Sequence, residues 1–526
     1  MIQPFLFNLL RYELLKLIKI YVLLIILSAL AVSLRPAEYV PDFPLIEDSF
    51  FVFAIADNIA EGNGISADVD NLTTGFQPLY TFAVTPLFAA AGGDKILPLR
   101  LVTAFNVILF ALTALLVGMI SRDFLKRMLE IDEKIPFWLG IIVYMTSLLA
   151  FGTHLNGLET GMLMLFLALI VRLYQTLDLS SVTHAFIFGI VLGFTVLTRI
   201  DTVFLVILIS FFLLFRIRGL PLMLRLQIFI LVSGTAFLVS SPWWLYNYFV
   251  FDSIMPSSGQ ALQAAEFSAG RLKAGFYYLA QAFSPHFYTY EKFLGGTPGF
   301  ILKLIVALST IMFAVRLYAK TPYHLKSKRL CTKTLEIIFL LSANLAILFF
   351  WYVNNSDAVY FYLRYFSPYL IIPVLMIVFI FAALYKKYKA VIIILLTGFA
   401  FMVIGASYLF FTKTGFHGSG FLNHQVELVR EHVPADETVA SGQTGTIGYF
   451  RDNVLNLDGK VNAEALNYRE NMPEYLEQKK VRWFCDWMMG VEFFLGDNPV
   501  KNGWVKVDSS GDFYLYRNIE IPNQEK

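Results

Sequence analysis

Long, nearly uncharged apolar runs constrain the fold of this chain more than any other feature. Runs of about 17 to 25 apolar residues can cross the hydrocarbon core of a bilayer as helices. Only 15% of the residues are charged, against about 25% in a soluble protein, so the chain cannot cover its surface in water. We therefore predict an α-helical polytopic membrane protein with about eleven transmembrane helices. The predicted spans are residues 17–34, 97–120, 136–153, 160–176, 183–198, 202–215, 226–248, 299–318, 334–353, 366–385 and 389–411.

The distribution of lysine and arginine predicts the orientation of these helices. Basic residues cluster in alternate loops, which the positive-inside rule assigns to the cytoplasm. The apolar run 77–91 breaks this pattern if it spans, so we interpret it as a helix lying in the outer interface. The N-terminus is then cytoplasmic and the C-terminus lies outside. Basic residues assigned to the cytoplasmic side include Arg11, Lys16, Arg122, Lys134, Arg216, Arg218, Lys320, Lys328 and Lys387.

Composition divides the chain near residue 412. Residues 1–411 form the predicted transmembrane module, which carries two long outer loops at 35–96 and 249–298. Residues 412–526 hold 17 of the 39 acidic residues and alternate short β-rich segments with polar helices. This pattern predicts a small α/β domain outside the membrane.

Several kinds of chemistry lack their sequence motifs. The chain has no GxxxxGK[ST], HExxH, CxxC or GxSxG pattern. The sequence therefore gives no sign of nucleotide hydrolysis, zinc proteolysis, thiol redox chemistry or serine hydrolysis. A net charge of +2 gives no support for a nucleic-acid partner. Composition instead implies membrane lipids as the surroundings.

Acidic residues at membrane depth are the first functional candidates, because charges are costly there. Glu47 and Asp48 are adjacent, just beyond the first predicted span. Their repulsion would raise the pKa of one carboxyl unless a cation or donor compensates, and a raised pKa suits a general base. A helix cap with two solvated acids explains the same residues. Glu159 starts an apolar span with no cation beside it in sequence.

Other polar residues near the predicted outer face are candidate substrate contacts. Thr74 and Gln77 belong to a turn before the interfacial run. His154 and Asn156 lie in a very short outer loop, and His286 lies in the second long loop. Each also has an ordinary interpretation, as a turn residue, a satisfied interfacial side chain or an exposed loop histidine.

Two arginines stand at predicted outer helix ends. Arg199 and Asp201 lie between two short apolar runs, where they either pair with each other or build a cavity wall. Arg364 begins a late span. It can snorkel to bulk lipid phosphates or bind one specific phosphate bidentately, and its position alone does not separate the two.

These polar segments occur in a defined order along nearly the whole chain. They read EDSFF, IADNIAEGNG, TTGFQPLY, LNGLETG, LTRID, PWWLYNYF, PSSG, RYFSP, GTIGYF and VLNLDGKVN. Their order resembles the bacterial GT-C glycosyltransferases related to protein mannosyltransferases and aminoarabinose transferases. The resemblance implies a GT-C fold in the bacterial plasma (inner) membrane. It also implies inverting transfer of a sugar from a polyprenyl-phosphate donor to a hydroxyl of a glycan, lipid or protein acceptor outside the cell.

The resemblance also implies roles for individual residues. The acidic pair of the first outer loop supplies the base for the acceptor hydroxyl, which matches Glu47 or Asp48. Glu159 matches an acid of the second outer loop. Arg364 matches the arginine that binds the donor phosphate, and Arg199 is the second candidate.

Some expectations stay open at this level. Certain members of the family use a divalent metal ion and others do not, and this sequence has no clear set of ligands. The family's turn has Asn and His where this chain has Thr74 and Gln77, which keeps hydrogen bonding but removes an imidazole. A flippase for lipid-linked saccharide and a non-catalytic membrane scaffold or sensor are the alternatives. A flippase needs a path to the cytoplasmic side, whereas the acidic candidates all cluster outside.

Overall fold

Apolar helices account for most of the structure, as the sequence predicts. The computed structural model describes residues 2–68, 71–216, 220–263, 266–288, 296–326, 329–412 and 421–521. Its helices are α1 Ile2–Ser33, α2 Glu47–Glu61, α3 Pro78–Ala91, α4 Leu97–Met128, α5 Lys134–Met145, α6 Leu148–Leu155, α7 Thr160–Thr176, α8 Val182–Thr198, α9 Val203–Arg216, α10 Leu222–Phe251, α11 Ser257–Ala261, α12 Ala269–Phe283, α13 Gly296–Lys320, α14 Tyr323–Lys326, α15 Arg329–Asn355, α16 Tyr362–Phe366, α17 Ile371–Thr412, α18 Glu427–His432, α19 Gly445–Phe450, α20 Ala463–Asn467, α21 Met472–Gln478 and α22 Met488–Leu495. The strands are β1 Ser66–Asp68, β2 Asn71–Leu72, β3 Val439–Ser441, β4 Val454–Asn456, β5 Trp483–Trp487, β6 Trp504–Ser510 and β7 Phe513–Asn518.

The helices identify a multi-pass membrane protein. Within the described residues, six helical segments are long and apolar enough to cross a bilayer, and α5 with α6 makes a seventh if this pair, bent by 60°, is one span. Helices α7 and α8 are equally apolar but have only 17 residues each. They fall at the lower limit of about 17 to 25 residues for a crossing. The count of about eleven crossings therefore stays a prediction.

The last two predicted spans, 366–385 and 389–411, lie on one bent helix. Helix α17 has 42 residues, so its length of about 63 Å is about twice the thickness of a bilayer core. It bends at Tyr388, whose φ of −121° and ψ of 30° are not helical. The break falls within the basic stretch that was assigned to a cytoplasmic turn, because Lys387 directly precedes Tyr388.

Small residues allow the helices of the module to pack closely, and apolar residues cover its outer surface. A Cβ added at Gly140 of α5 would lie 2.9 Å from the Cα of Gly118 of α4. Such close backbone approach is a common way to pack helices in lipid. Large apolar side chains such as Phe237 and Leu238 are 63% and 69% exposed. Exposed apolar side chains of this kind are typical of a surface that contacts lipid.

The segment 35–96, predicted to be the first outer loop, contains α2, a short antiparallel pair of strands β1 and β2, and α3. Helix α3 has 14 residues, about 21 Å, which is too short to cross a bilayer. Its buried residues pack against α2 and α4 in one apolar cluster. Two residues named from the sequence, the basic residues Arg218 and Lys328, lie outside the described residues.

Residues 421–521 form the α/β domain that the composition predicts. Its five-stranded sheet has the order β4-β3-β5-β7-β6. Strand β3 is parallel to β4 and β5, whereas β7 is antiparallel to β5 and β6. The amide of Asn456, at the end of β4, donates to Asp68 Oδ2 of the first outer loop at 3.1 Å. The sheet edge and the turn that follows β4 therefore rest directly on the membrane module.

Candidate active site

One polar cavity of about 680 Å³ collects most of the charged residues singled out in the sequence. Its walls come from the segment 48–77, the N-terminal end of α7, the C-terminal end of α8, the turn before α11, the segment 351–365 and the C-terminal domain. Residues separated by up to several hundred positions thus meet in one place. The charged residues that line the cavity are Asp48, Glu159, Arg199, Asp201, Arg364 and Lys460.

Asp48 faces this cavity from the first turn of α2. Its Oδ2 lies 3.6 Å from Nη1 of Arg364, and its Oδ1 lies 4.0 Å from Nζ of Lys460. Glu159 and Asp201 have arginine nitrogens at 2.7 and 2.9 Å. Asp48 is therefore the most loosely paired of the three acids, and its carboxylate has room for another hydrogen-bonding partner.

Glu47, the neighbouring residue, faces the C-terminal domain instead of the cavity. Successive residues of an α-helix point about 100° apart, so two adjacent acids reach different surroundings. The Glu47 carboxylate accepts hydrogen bonds from the Thr446 amide at 3.0 and 3.1 Å and from the Thr446 hydroxyl. These groups begin α19, where the helix N-terminus favours a negative charge. Glu47 therefore contacts the C-terminal domain, whereas Asp48 lines the cavity.

The pKa of Glu47 rises to about 7, mainly because the carboxyl is buried. The hydrogen bonds from Thr446 oppose this rise, and the nearby charge of Asp48 adds to it. The sequence predicted a raised pKa for one acid of the pair, through repulsion between the two. Burial against the C-terminal domain is the larger cause of the raised pKa. The residues near Glu47 in the sequence do not reveal this burial.

Glu159 and Arg364 form the strongest pair in the cavity. Glu159 precedes α7, and Arg364 lies on α16, 205 positions later. Nε and Nη2 of the arginine donate to Oε1 and Oε2 of the carboxylate at 3.1 and 2.7 Å. Burial alone would raise the pKa of Glu159, but Arg364 and Arg199 outweigh it and hold this pKa below its usual value. The forked face of Arg364 is therefore occupied, and Nη1 is the nitrogen left toward Asp48.

Arg199 and Asp201 realise both interpretations that the sequence left open. They pair through Nη2 and Oδ2 at 2.9 Å, and both line the cavity. Arg199 also donates to the carbonyl of Arg364 at 3.0 Å, and the Tyr352 hydroxyl donates to Asp201 at 2.6 Å. Arg199 is only 3% exposed, and its donors are directed at these partners. Arg199 therefore supports the backbone of Arg364.

Thr74 and Gln77 hold the loops around the cavity. The Thr74 hydroxyl accepts a hydrogen bond from the Ser257 amide at 3.0 Å, and Gln77 Oε1 accepts one from the Ile200 amide at 3.3 Å. Gln77 also lines the cavity. Both side chains thus connect the first outer loop to distant segments, and Gln77 alone of the two is placed to meet a substrate.

The two histidines that the sequence singled out, His154 and His286, are not among the residues that line the polar cavity. His154 is fully buried, with Nδ1 2.8 Å from the Ala150 carbonyl and its ring 5.2 Å from that of Phe110. His286 is 3% exposed and lies 2.9 Å from the Val143 carbonyl, so it is not an exposed loop residue.

A second, largely apolar cavity of about 780 Å³ lies beside the first. Asn156 lines it and caps its own turn through Oδ1, which accepts from the Leu158 amide at 3.0 Å. Arg364 and Phe361 line both cavities. A guanidinium and an aromatic ring therefore belong to the walls of both spaces. Apolar residues that line the second cavity include Phe43, Phe151, Leu363, Met402, Leu409 and Phe410.

Lys460 was missed as a candidate in the sequence, although the segment VLNLDGKVN was noted. It lies in the turn after β4, and its Nζ is 3.0 Å from Asp458 Oδ2. Its side chain is only 13% exposed. The only sequence feature that could have identified it is the Asp-Gly-Lys turn. Many exposed turns have the same composition, so this feature does not indicate a site.

The carboxylates of the cavity do not fit a resident metal ion. Within the part of the chain that the structure describes, no group of three or more His, Cys, Asp or Glu side chains is placed to hold one. Glu159 and Asp201 are already paired with guanidinium groups at hydrogen-bond distance, and Asp48 lies between two cations. The positive charge near these acids therefore comes from the protein itself.

Comparisons with known proteins identify the fold. Residues 420–521 match a family model described as a domain of unknown function, DUF8728. No curated protein matches the chain. The structure superposes on the archaeal oligosaccharyltransferase AglB from Archaeoglobus fulgidus, in complex with an inhibitory peptide and a dolichol-phosphate, with a TM-score of 0.51 at 11% identity over 95% of this chain and 74% of AglB.

Two further matches are weaker. ArnT from Cupriavidus metallidurans bound to undecaprenyl phosphate gives a TM-score of 0.48 at 11% identity, over 98% of this chain and 99% of ArnT. The apo state of ArnT gives 0.44 at 10% identity, over 97% and 99%. The chain has the GT-C fold, in which a polytopic helical module carries a small C-terminal domain.

Proposed function

We propose that this protein is an integral membrane glycosyltransferase. It transfers a sugar from a polyprenyl-phosphate-linked donor to an acceptor hydroxyl on the outer face of the membrane, with inversion at the anomeric carbon. The dolichol-phosphate bound to AglB, which has the same fold, supports a donor of this class. The acceptor is a glycan, a lipid or a protein.

The wall that the two cavities share is the observation that carries this proposal. A polyprenyl chain needs an apolar groove, and a sugar needs a polar site. Arg364 and Phe361 here line both cavities. A donor whose lipid lies in the apolar cavity would place its phosphate at Arg364 and its sugar beside Asp48. An arginine is well suited to this boundary, since its guanidinium binds phosphate and its stem tolerates apolar surroundings.

Asp48 is the proposed general base. It takes the proton from the acceptor hydroxyl as the acceptor oxygen forms a bond to the anomeric carbon. The bond from that carbon to the phosphate oxygen breaks at the same time, so the lipid phosphate leaves with an added negative charge. The Nη1 group of Arg364 lies 3.6 Å from Asp48 and is placed to stabilise that charge.

Glu159, Arg199 and Asp201 are positioning residues in this scheme. Glu159 holds the fork of Arg364, and Arg199 holds its backbone carbonyl. Asp201 in turn orients Arg199. A site whose cation is held by a pre-formed network needs little rearrangement when charge develops on the leaving group.

The proposed location is the bacterial plasma membrane, with the N-terminus in the cytoplasm and the catalytic cavity outside. Cysteine labelling tests this orientation, because the native Cys331 and Cys485 are both buried. An impermeant maleimide added to intact cells should label Asn63→Cys and miss Glu133→Cys, two exposed positions. Labelling of Glu133→Cys from outside would contradict the orientation.

A donor-choice assay tests the reaction class. The purified chain in lipid nanodiscs receives either a radiolabelled polyprenyl-phosphate sugar or the matching nucleotide sugar, together with a membrane extract as the source of acceptor. We expect label to reach the extract only from the lipid donor, with release of polyprenyl phosphate. Transfer from the nucleotide sugar, or movement of the intact lipid across the bilayer without release of phosphate, would overturn the proposal.

A further inference from the structure

Lys460 reaches into the polar cavity from the C-terminal domain. Its Nζ lies 4.0 Å from Asp48 Oδ1 and 5.6 Å from the centre of the Phe361 ring. Burial alone would lower the pKa of this ammonium, but Asp458 and Asp48 outweigh it and raise its pKa. The residue therefore presents a positive charge in a water-poor site made chiefly by another domain.

The backbone of Lys460 is clamped between the two long outer loops. Its carbonyl accepts a hydrogen bond from the Ser257 hydroxyl at 2.8 Å. On the other side, a Cβ added at Gly75 would lie 1.8 Å from the same carbonyl oxygen, so glycine is required there. The Ser257 amide in turn donates to Thr74. These contacts fix the position from which the Lys460 side chain enters the cavity. A lysine that is only exposed to solvent does not need its backbone to be fixed in this way.

Arg364 alone offers limited contact to a phosphate. Its Nε and Nη2 already donate to Glu159, so Nη1 is the nitrogen that faces the free side of Asp48. The leaving phosphate gains a negative charge during transfer and needs additional donors. The Lys460 ammonium carries three N–H groups, and it forms an ion pair with Asp458 Oδ2 at 3.0 Å.

Arg364 and Lys460 also lie over the same aromatic ring. The guanidinium carbon is 5.8 Å and the ammonium nitrogen 5.6 Å from the centre of the Phe361 ring. Phe361 itself lines the boundary between the apolar and polar cavities. The two cations thus flank the point at which a lipid phosphate would stand.

We propose that Lys460 is a phosphate-binding residue of the donor site, so that the C-terminal domain completes the site through a two-cation clamp with Arg364. This inference rests on the proposed function, because it assigns the second cation of the same donor. The ammonium and the Nη1 group would each donate to a different phosphate oxygen. Asp458 holds Lys460 in place, as Glu159 holds Arg364.

Lipid binding to the full-length chain in detergent tests this assignment. Polyprenyl monophosphate is the probe, and polyprenol, which lacks the phosphate, is the matched lipid. We expect Lys460→Gln to weaken binding of polyprenyl monophosphate by about tenfold or more, the loss typical of a charge-assisted hydrogen bond. Binding of polyprenol should not change. Lys460→Arg should restore most of the lost affinity, since it keeps the charge.

Lys506 provides the control within the same domain, because it lies exposed on β6. Lys506→Gln should bind both lipids like the wild type. Equal affinity of Lys460→Gln and the wild type for polyprenyl monophosphate would overturn the inference and leave the proposed function intact. Equal loss of affinity for both lipids would also overturn it, since Lys460 would then act only on folding or docking. A wild-type chain that does not distinguish the two lipids would overturn the proposed function itself.

Discussion

The membrane module and the C-terminal domain build the candidate site in different ways. The module contributes groups that are already paired with one another, such as Glu159 with Arg364 and Arg199 with Asp201. The C-terminal domain contributes Lys460 through a turn that docks on the outer loops. The composition boundary near residue 412 separates two folding patterns, yet the cavity crosses it. A change of composition along a chain therefore does not mark where a site ends.

Replacing Arg364 by lysine should have the largest effect on the module's share of the site. Lysine keeps the charge but cannot hold both oxygens of Glu159 with a fork. We expect Arg364→Lys to weaken binding of polyprenyl monophosphate by about 2 to 5 kcal/mol. Titration of the lipid into the purified variant measures this. Arg100→Lys is the matched control, because Arg100 binds the Ser33 carbonyl at 2.8 Å and does not line the cavity. Unchanged affinity in a folded Arg364→Lys protein would contradict the assignment.

A methyl group placed between the two regions should weaken their docking. A Cβ at Gly75 would overlap the Lys460 carbonyl oxygen, at 1.8 Å. We expect Gly75→Ala to destabilise the protein by about 1 to 3 kcal/mol, as overpacking usually does, and to lower sugar transfer as well. Gly398→Ala is the control, because nothing lies within 4 Å of its added Cβ. Thermal unfolding and transfer that both match the wild type in Gly75→Ala would show that the domains are not tightly joined here.

The third expected effect concerns pH and Glu47. Its pKa is raised from 4.5 to about 7 in the folded protein, mainly by burial, so the folded state binds more protons than the unfolded state between these values. Stability should therefore fall as pH rises through this window. Glu47→Gln removes this dependence while its amide oxygen can still accept from Thr446. The unfolding temperature of the variant relative to the wild type should thus rise from pH 5 to pH 8. A difference that is constant across this range would show that Glu47 is not buried.

The sequence predicted the features that depend on local patterns. Apolar runs predicted apolar helices, and the basic residues near Tyr388 predicted the break between the last two runs. The alternation of segments in 412–526 predicted an α/β domain. Asp48, Glu159, Arg199, Asp201 and Arg364 were all singled out as charges near an apolar boundary. Each of them lines one cavity.

The sequence could not predict features that depend on distant contacts. Glu47 and Thr446 are 399 positions apart, so nothing near Glu47 reveals that it docks another domain. The sequence places His154 and His286 in loops, whereas the structure buries both side chains. Lys460 resembles any lysine in a polar turn until the domain is docked. Tertiary placement rather than residue type decides these three outcomes.

The paired substitutions Asp48→Asn and Glu47→Gln test the central claim most directly. The two acids are neighbours in sequence, but only Asp48 faces the cavity. In the transfer assay with a radiolabelled polyprenyl-phosphate sugar, we expect Asp48→Asn to lower turnover by about 10²-fold or more, as loss of a general base does. Glu47→Gln should keep turnover within a few-fold of the wild type, because its side chain faces the C-terminal domain and its amide oxygen can still accept a hydrogen bond from Thr446. Full activity in Asp48→Asn, or a loss confined to Glu47→Gln, would contradict the account.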